Sequence, residues 1–184
     1  MRLDHIAYRV ANKEKTAAFF KKAFGYKEQC VFDLEFDDGT KCECIALEPP
    51  EKVENALWTW VTVPNGGKNN LKEPCCYHMA PEIFVSEGQP DSIVGKWVAE
   101  RNGIGGIHHM AYQVDDVKAT MEKWKEKGYA EFCSNEPLTC PGLTQVFTKP
   151  SELIGITIEF INREDHGFCV DNVKSLMEST IIQS

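Results

Sequence analysis

The feature that most constrains the fold is a segment that the chain contains twice. Residues 3–10 (LDHIAYRV) and 107–114 (IHHMAYQV) align without a gap, and the alignment places His5 on His109. A helical pattern follows each segment, and each helix ends in Gly-Tyr, where glycine can adopt the left-handed conformation that terminates a helix. Agreement of strand, helix and cap in the same order predicts a fold built from a duplicated module.

Each predicted helix is followed by short strands that are separated by turn residues. In the first half the pattern predicts a helix over 12–26 and strands over about 28–36, 40–47 and 81–86. In the second half it predicts a helix over 115–129 and strands over about 129–133, 144–148 and 155–162. We therefore predict an α+β fold in which two tandem βαβββ modules form an open, cupped mixed sheet.

The two modules account for most of one compact domain. Residues 1–90 form the first module, residues 104–162 the second, and residues 163–184 a C-terminal helical tail. The first module carries an insertion at about 49–80, and its WTWVTV sequence predicts an extra strand. An insertion of this length in a compact domain is more often functional than idle, so we expect it to flank the mouth of a cavity.

Composition and charge exclude several classes of partner. The net charge is −8 and no basic stripe is visible, which argues against a nucleic-acid surface. No apolar run is long enough for a membrane span, and the first residues lack the apolar core of a signal peptide. The eight cysteines show no CxxC spacing, so we expect reduced thiols without a catalytic role in a cytoplasmic protein.

Strand periodicity places the two repeated histidines on one face. In the first strand Ile6, Tyr8 and Val10 form an apolar stripe that should pack under the helix, so His5 points to the opposite face. The same alternation points His109 away from its helix. The neighbouring histidine, His108, has helix-packing parity, and we exclude it as a ligand on that ground.

The last strand of each module adds a carboxylate to this face. In the sequence GITIEFIN the apolar residues alternate with Thr157 and Glu159, and a buried carboxylate is costly unless it is paired or binds a cation. Two imidazoles and one carboxylate suit a divalent metal ion, so His5, His109 and Glu159 are the predicted ligands. Glu82 is the repeat counterpart of Glu159, and both a ligand role and a solvated carboxylate stay open for it.

With these residues in view, the chain resembles the vicinal oxygen chelate superfamily over nearly its whole length. One resemblance is to the catalytic C-terminal domain of 4-hydroxyphenylpyruvate dioxygenase, through residues 105–117, the QVFTKP sequence and the segment 162–179. It implies an Fe(II) dioxygenase acting on a 2-oxo acid, with Gln145 as a catalytic and substrate contact and Phe168 as a wall of the pocket. Cys169 departs from the glycine of that family's pattern, and the family's N-terminal half is absent.

A second resemblance is to methylmalonyl-CoA epimerase, with glyoxalase I behind it. The segment 146–160 aligns to the epimerase pattern without a gap, and Glu82 falls where these enzymes have a fourth ligand. This resemblance implies a metal-dependent epimerase, isomerase or lyase that uses Co, Mn, Ni or Zn and a carboxylate base. A metal-free binding or resistance module is the third alternative. In each case we expect a small organic acid as the ligand, and a homodimer stays open.

Overall fold

The computed structural model describes residues 1–50, 58–65, 68–76, 80–163 and 169–181. The first half contains strands β1 (Arg2–Val10), β2 (Lys27–Glu35), β3 (Lys41–Glu48), β4 (Trp58–Asn65), β5 (Lys68–Cys76) and β6 (Glu82–Gly88). The second half contains β7 (Gly105–Gln113), β8 (Leu138–Cys140), β9 (Leu143–Phe147) and β10 (Thr157–Arg163). The helices are α1 (Lys13–Phe24), α2 (Ile93–Ala99), α3 (Val117–Glu126) and α4 (Val170–Glu178).

Eight strands form one sheet whose order repeats the duplication. The order is β2-β3-β6-β1-β7-β10-β9-β8, so β1 and β7 lie side by side at the centre. Each central strand pairs in parallel with the last strand of its own half, β1 with β6 and β7 with β10. The pairing of β1 with β7 is antiparallel and joins the halves. This mixed, duplicated sheet confirms the predicted α+β fold.

Local sequence explains where the two outer helices begin and on which face they pack. Asn12 and Asp116 cap α1 and α3, because each side chain accepts a hydrogen bond from a backbone N–H in the first turn of its helix. Gly25 ends α1 at a φ of 76°. The apolar residues of β1 pack against α1, and their counterparts in β7 pack against α3. The opposite, concave face of the sheet is therefore left for the predicted ligands.

Three parts of the structure differ from or add to the sequence prediction. The strand predicted over 129–133 is wrong: only an isolated bridge forms there, between Phe132 and Thr148, and β8 lies further along the chain. The extra strand is present as β4, paired with β5 in a separate two-stranded sheet. The helix α2 was not predicted, because its seven residues are too few to show a clear period.

Among the described residues, no helix has the length and apolar character to cross a membrane.

Candidate metal centre

Three buried side chains bring their donor atoms together on the concave face. His5, His109 and Glu159 come from the neighbouring strands β1, β7 and β10. The two Nε2 atoms are 3.2 Å apart, and Oε2 of Glu159 lies 3.4 Å from Nε2 of His5 and 3.1 Å from Nε2 of His109. Ligand bonds of about 2.0–2.2 Å to one divalent ion place neighbouring donors about 3.0–3.5 Å apart. The three donors therefore fit a single metal ion.

Burial and mutual contact set the charges of this cluster. Burial acts to raise the pKa of Glu159, but His5 and His109 together lower it to about 2. Burial acts to lower the pKa of His5, yet Glu159 and Asp4 raise it to about 9. For His109 the effect of burial prevails over that of Glu159 and lowers the pKa. A proton on His5 thus supplies the positive charge that a bound metal ion would supply in its place.

Glu159 also has an oxygen that the protein leaves unused. The residue is 1% exposed, and Oε1 has no hydrogen-bond partner among the described residues. A buried carboxylate oxygen of this kind is rare in a folded protein unless a ligand or ion completes the site. This orphaned oxygen supports the same conclusion as the donor spacing.

The ring of His5 is held from its other side by two residues that sequence reasoning missed. Nδ1 of His5 lies 2.9 Å from the carboxylate of Asp4. Arg163 binds both oxygens of that carboxylate, with Nε and Nη2 each 3.0 Å away. A carboxylate on Nδ1 directs Nε2 of the imidazole toward a metal ion. The only signal in the sequence was the position of Asp4 immediately before His5.

Glu82 pairs with Arg163 rather than with the candidate metal donors. Glu82 pairs in register with His5 across β1 and β6. Its Oε2 lies 2.8 Å from Nη2 of Arg163, and it is not a member of the donor group formed by His5, His109 and Glu159. Arg163 therefore bridges Asp4 and Glu82 beside the donors, and within the described residues three candidate donors come together rather than four.

Gln145 lies in the cavity next to the donors, where the resemblance placed a substrate contact. It is 1% exposed in β9, and Nε2 of its amide has no hydrogen-bond partner among the described residues. An unused buried donor is costly to the folded protein, and a ligand oxygen would satisfy it. Phe168, the predicted wall of the pocket, lies outside the described residues.

The rest of the cavity is apolar and is covered by the tail helix. Its walls include Phe84 and Phe147 from the sheet and Val173, Leu176 and Met177 from α4. The space between them has a volume of about 20 Å³, which is room for about one water molecule. A ligand larger than this would need side chains that line the cavity to move aside.

His108 faces the concave side of the sheet, which is opposite to the prediction from strand alternation. The register between β1 and β7 shifts between Ala7 and Tyr8, and this irregularity turns His108 to the concave side. Its ring lies 5.4 Å from that of Trp97 and 5.8 Å from that of Phe147, and its Nδ1 is 2.9 Å from Nδ1 of His109. His108 is nevertheless outside the donor group. Sequence alternation cannot reveal a bulge, because the bulge is what breaks the alternation.

Comparison with known proteins agrees with this fold. Residues 4–139 match the family model described as the Glyoxalase/Bleomycin resistance protein/Dioxygenase superfamily. The match spans well over half of the chain, so the protein belongs to this superfamily.

The sequence relatives are epimerases. The chain is 29% identical over 159 residues to the ethylmalonyl-CoA/methylmalonyl-CoA epimerase of Cereibacter sphaeroides, covering 86% of this chain and 95% of that protein. It is 23% identical over 158 residues to the mitochondrial methylmalonyl-CoA epimerase of Homo sapiens, covering 86% and 72%. These relatives favour the epimerase alternative over the dioxygenase interpretation that the sequence motifs suggested first.

The solved structures show the fold in both kinds of enzyme. A methylmalonyl-CoA epimerase in complex with methylmalonyl-CoA and NH4+ has a TM-score of 0.57 at 21% identity, over 89% of this chain and 95% of that chain. A mutant 4-hydroxymandelate synthase from Streptomyces coelicolor has a TM-score of 0.69 at 18% identity, over 96% of this chain and 53% of that chain. At these identities the likeness concerns the fold alone.

Proposed function

We propose that this protein is a metal-dependent epimerase that moves a proton at the carbon next to the carbonyl of a small acyl-CoA ester. The observation that carries the proposal is the buried triangle of His5, His109 and Glu159, whose donor spacing fits one divalent ion. The epimerase relatives support the type of reaction and the class of substrate. The cobalt, manganese, nickel or zinc ion considered for this chemistry would occupy the triangle.

The residues of the cavity have separate roles in this proposal. His5, His109 and Glu159 would hold the metal ion, and a bound ion would supply Lewis-acid stabilisation of negative charge on the substrate oxygens. Gln145 donates its unused N–H to a substrate oxygen and orients it. Among the described residues beside the donors, the carboxylate of Glu82 can accept or return a proton. For Glu82 this requires release from Arg163.

Proton transfer can be tested directly by anaerobic exchange of solvent deuterium into methylmalonyl-CoA and ethylmalonyl-CoA. We expect the metal-loaded protein to exchange the proton next to the thioester carbonyl without consuming oxygen. Glu159→Gln should abolish both metal binding and exchange, because it removes a charged ligand. Glu152→Gln changes an exposed glutamate in the same way and should leave both unchanged. Metal binding without exchange into either ester would refute the epimerase proposal.

Dioxygenase chemistry on a 2-oxo acid is the second candidate, and the position of Glu82 favours it. Because Glu82 is paired with Arg163, three candidate donors among the described residues meet at the triangle, which is the number of protein ligands that non-haem Fe(II) oxygenases use. The same experiment separates the candidates when oxygen uptake is followed on a panel of aryl-pyruvates. Oxygen uptake by the Fe(II)-loaded protein, with no deuterium exchange into the esters, would replace the first proposal by the second.

A further inference from the structure

Arg9 is a buried cation that the proposed chemistry does not use. It lies in β1 on the same face as His5 and is only 2% exposed. Within the part of the chain that the structure describes, no hydrogen bond or ion pair is made by the side chain of Arg9. Its Nη2 is buried without a partner. Burial of a charge is costly unless the charge is paired. Arg9 therefore lacks the anion that would offset its burial.

The groups around Arg9 do not supply that anion. The titratable groups that act on it are two thiols, Cys42 and Cys44, and a second cation, Arg101. The ring of Trp97 lies 5.9 Å from Cζ of Arg9 and 3.7 Å from Cζ of Arg101, so two guanidinium groups share one indole. Burial lowers the pKa of Arg9 to about 10, and Arg101 acts in the same direction. Arg9 thus keeps its charge at neutral pH.

The strand opposite Arg9 carries no side chain at the paired position, and the nearby Arg101 is partly exposed. Arg9 pairs across the sheet with Gly106 of β7, so a side chain at position 106 would lie next to that of Arg9. A Cβ atom built on Gly106 meets no atom within 4 Å. The side chain of Arg101 is 37% exposed, pairs with Glu100 at 3.9 Å and lies over the Trp97 ring that Arg9 also approaches. A small anion could enter at Arg101 and lie against Arg9.

We propose that Arg9, with Arg101 at its solvent edge, is a binding site for a small oxyanion, either a carboxylate or a phosphate. Four residues of a strand separate Arg9 from His5, which is about 13 Å between their Cα atoms. Ala7 lies between them on the same face and packs with Phe84, Val173 and Met177 in the core, so this site is separate from the metal centre.

Anion binding by the metal-free protein tests the site independently of catalysis. Inorganic phosphate and succinate are titrated at constant ionic strength, and the change in Tm and the Kd are measured. We expect Arg9→Met to weaken binding of the preferred anion at least tenfold and Arg101→Gln to weaken it less. Arg2→Gln, a change at an exposed arginine, should have no effect. The anion whose binding depends on Arg9 identifies the group as a phosphate or a carboxylate.

A second variant keeps the test valid if Arg9→Met does not fold. Arg9→Lys retains the positive charge but loses the two-pronged geometry of the guanidinium, so it should bind the anion several-fold more weakly than the wild type. Equal affinity of Arg9→Lys and wild type, or no shift in Tm of the wild type with either anion, would overturn the site. Deuterium exchange that is absent while the Arg9-dependent shift is present would overturn the proposed function and leave the site.

Discussion

At the scale of single residues, the candidate centre is a set of charges that stabilise one another away from water. Glu159 is ionised against two imidazoles, and His5 is held between Glu159 and Asp4. Arg163 in turn pairs with Asp4 and Glu82. In such a chain each member fixes the position of the next, so a residue that touches no ligand can still change the metal affinity.

Asp4→Asn should weaken metal binding about 10–100-fold without loss of the fold, because removal of a charged partner from a ligating histidine typically costs that much. Asn keeps the size of the side chain but loses the charge that holds Nδ1 of His5 and pairs with Arg163. The measurement is the Kd of cobalt(II), with Asp91→Asn at an exposed position as the matched control. Equal affinities of Asp4→Asn and wild type would show that Asp4 does not position His5.

The rise in Tm that a metal ion produces should grow as the pH increases from about 6.5 to 9. The folded, metal-free protein raises the pKa of His5 from 6.5 to about 9, so metal binding below pH 9 must displace a proton. The protonated ring stabilises the metal-free protein fully below pH 6.5, and this contribution is lost as the pH rises through about 9. Because the metal and this proton compete for the same ring, the difference between loaded and metal-free protein widens as the pH rises.

The check is Tm at several pH values with chelator-buffered cobalt(II) and with chelator alone. An increment that stays constant or falls between these pH values would contradict the assignment of His5 as a ligand.

At the scale of secondary-structure elements, α4 decides how much of the concave face is open. The sequence predicts a helical tail over residues 163–184, but nothing in the sequence indicates where that helix lies. Val173 and Met177 pack with Phe84 and Ala7 of the sheet, and Leu176 lines the cavity beside the donors. The helix therefore closes the core of the first half and covers the candidate centre at the same time.

Leu176→Ala should lower the free energy of unfolding by about 2–4 kcal/mol, because it leaves a cavity under a helix that is otherwise well packed. Leu176 is 4% exposed, whereas Ile181 is 55% exposed, so Ile181→Ala serves as the control and should change stability by under about 0.5 kcal/mol. The measurement is urea unfolding followed by circular dichroism. Similar small losses in both variants would mean that α4 is not packed on the sheet in solution.

At the scale of the whole molecule, the two halves are joined along β1 and β7. The seam pairs the strand that carries His5 with the strand that carries His109. Pairing of these two strands therefore brings the two histidine donors together. At one end of the seam Val10 pairs with Gly105. Gly105 has a φ of +85°, and a Cβ atom there would lie 2.0 Å from the carbonyl oxygen of Arg9. Only glycine allows the strands to approach this closely.

Gly105→Ala should therefore destabilise the protein by at least about 2 kcal/mol, through the positive φ and the clash with β1 together. Gly128→Ala is the matched control, since Gly128 also has a positive φ, +65°, but no atom lies within 4 Å of its added Cβ. The control should show the smaller loss, about 1 kcal/mol, in urea unfolding. Equal losses in the two variants would show that the seam tolerates a side chain.

The sequence by itself determined the duplication, the α+β fold and the shared face of His5, His109 and Glu159. These follow from local periodicity, because alternation along a strand records which side of the sheet each residue faces. The domain bounds 1–90 and 104–162 stay predictions.

Only the tertiary structure decided which side chains meet. The spacing of the three donors, the bridge from Asp4 through Arg163 to Glu82, the bulge that turns His108 inward and the placement of α4 all depend on contacts between residues far apart in the chain. The unpaired charge of Arg9 belongs with them, since periodicity gives the direction of a side chain but not its partner.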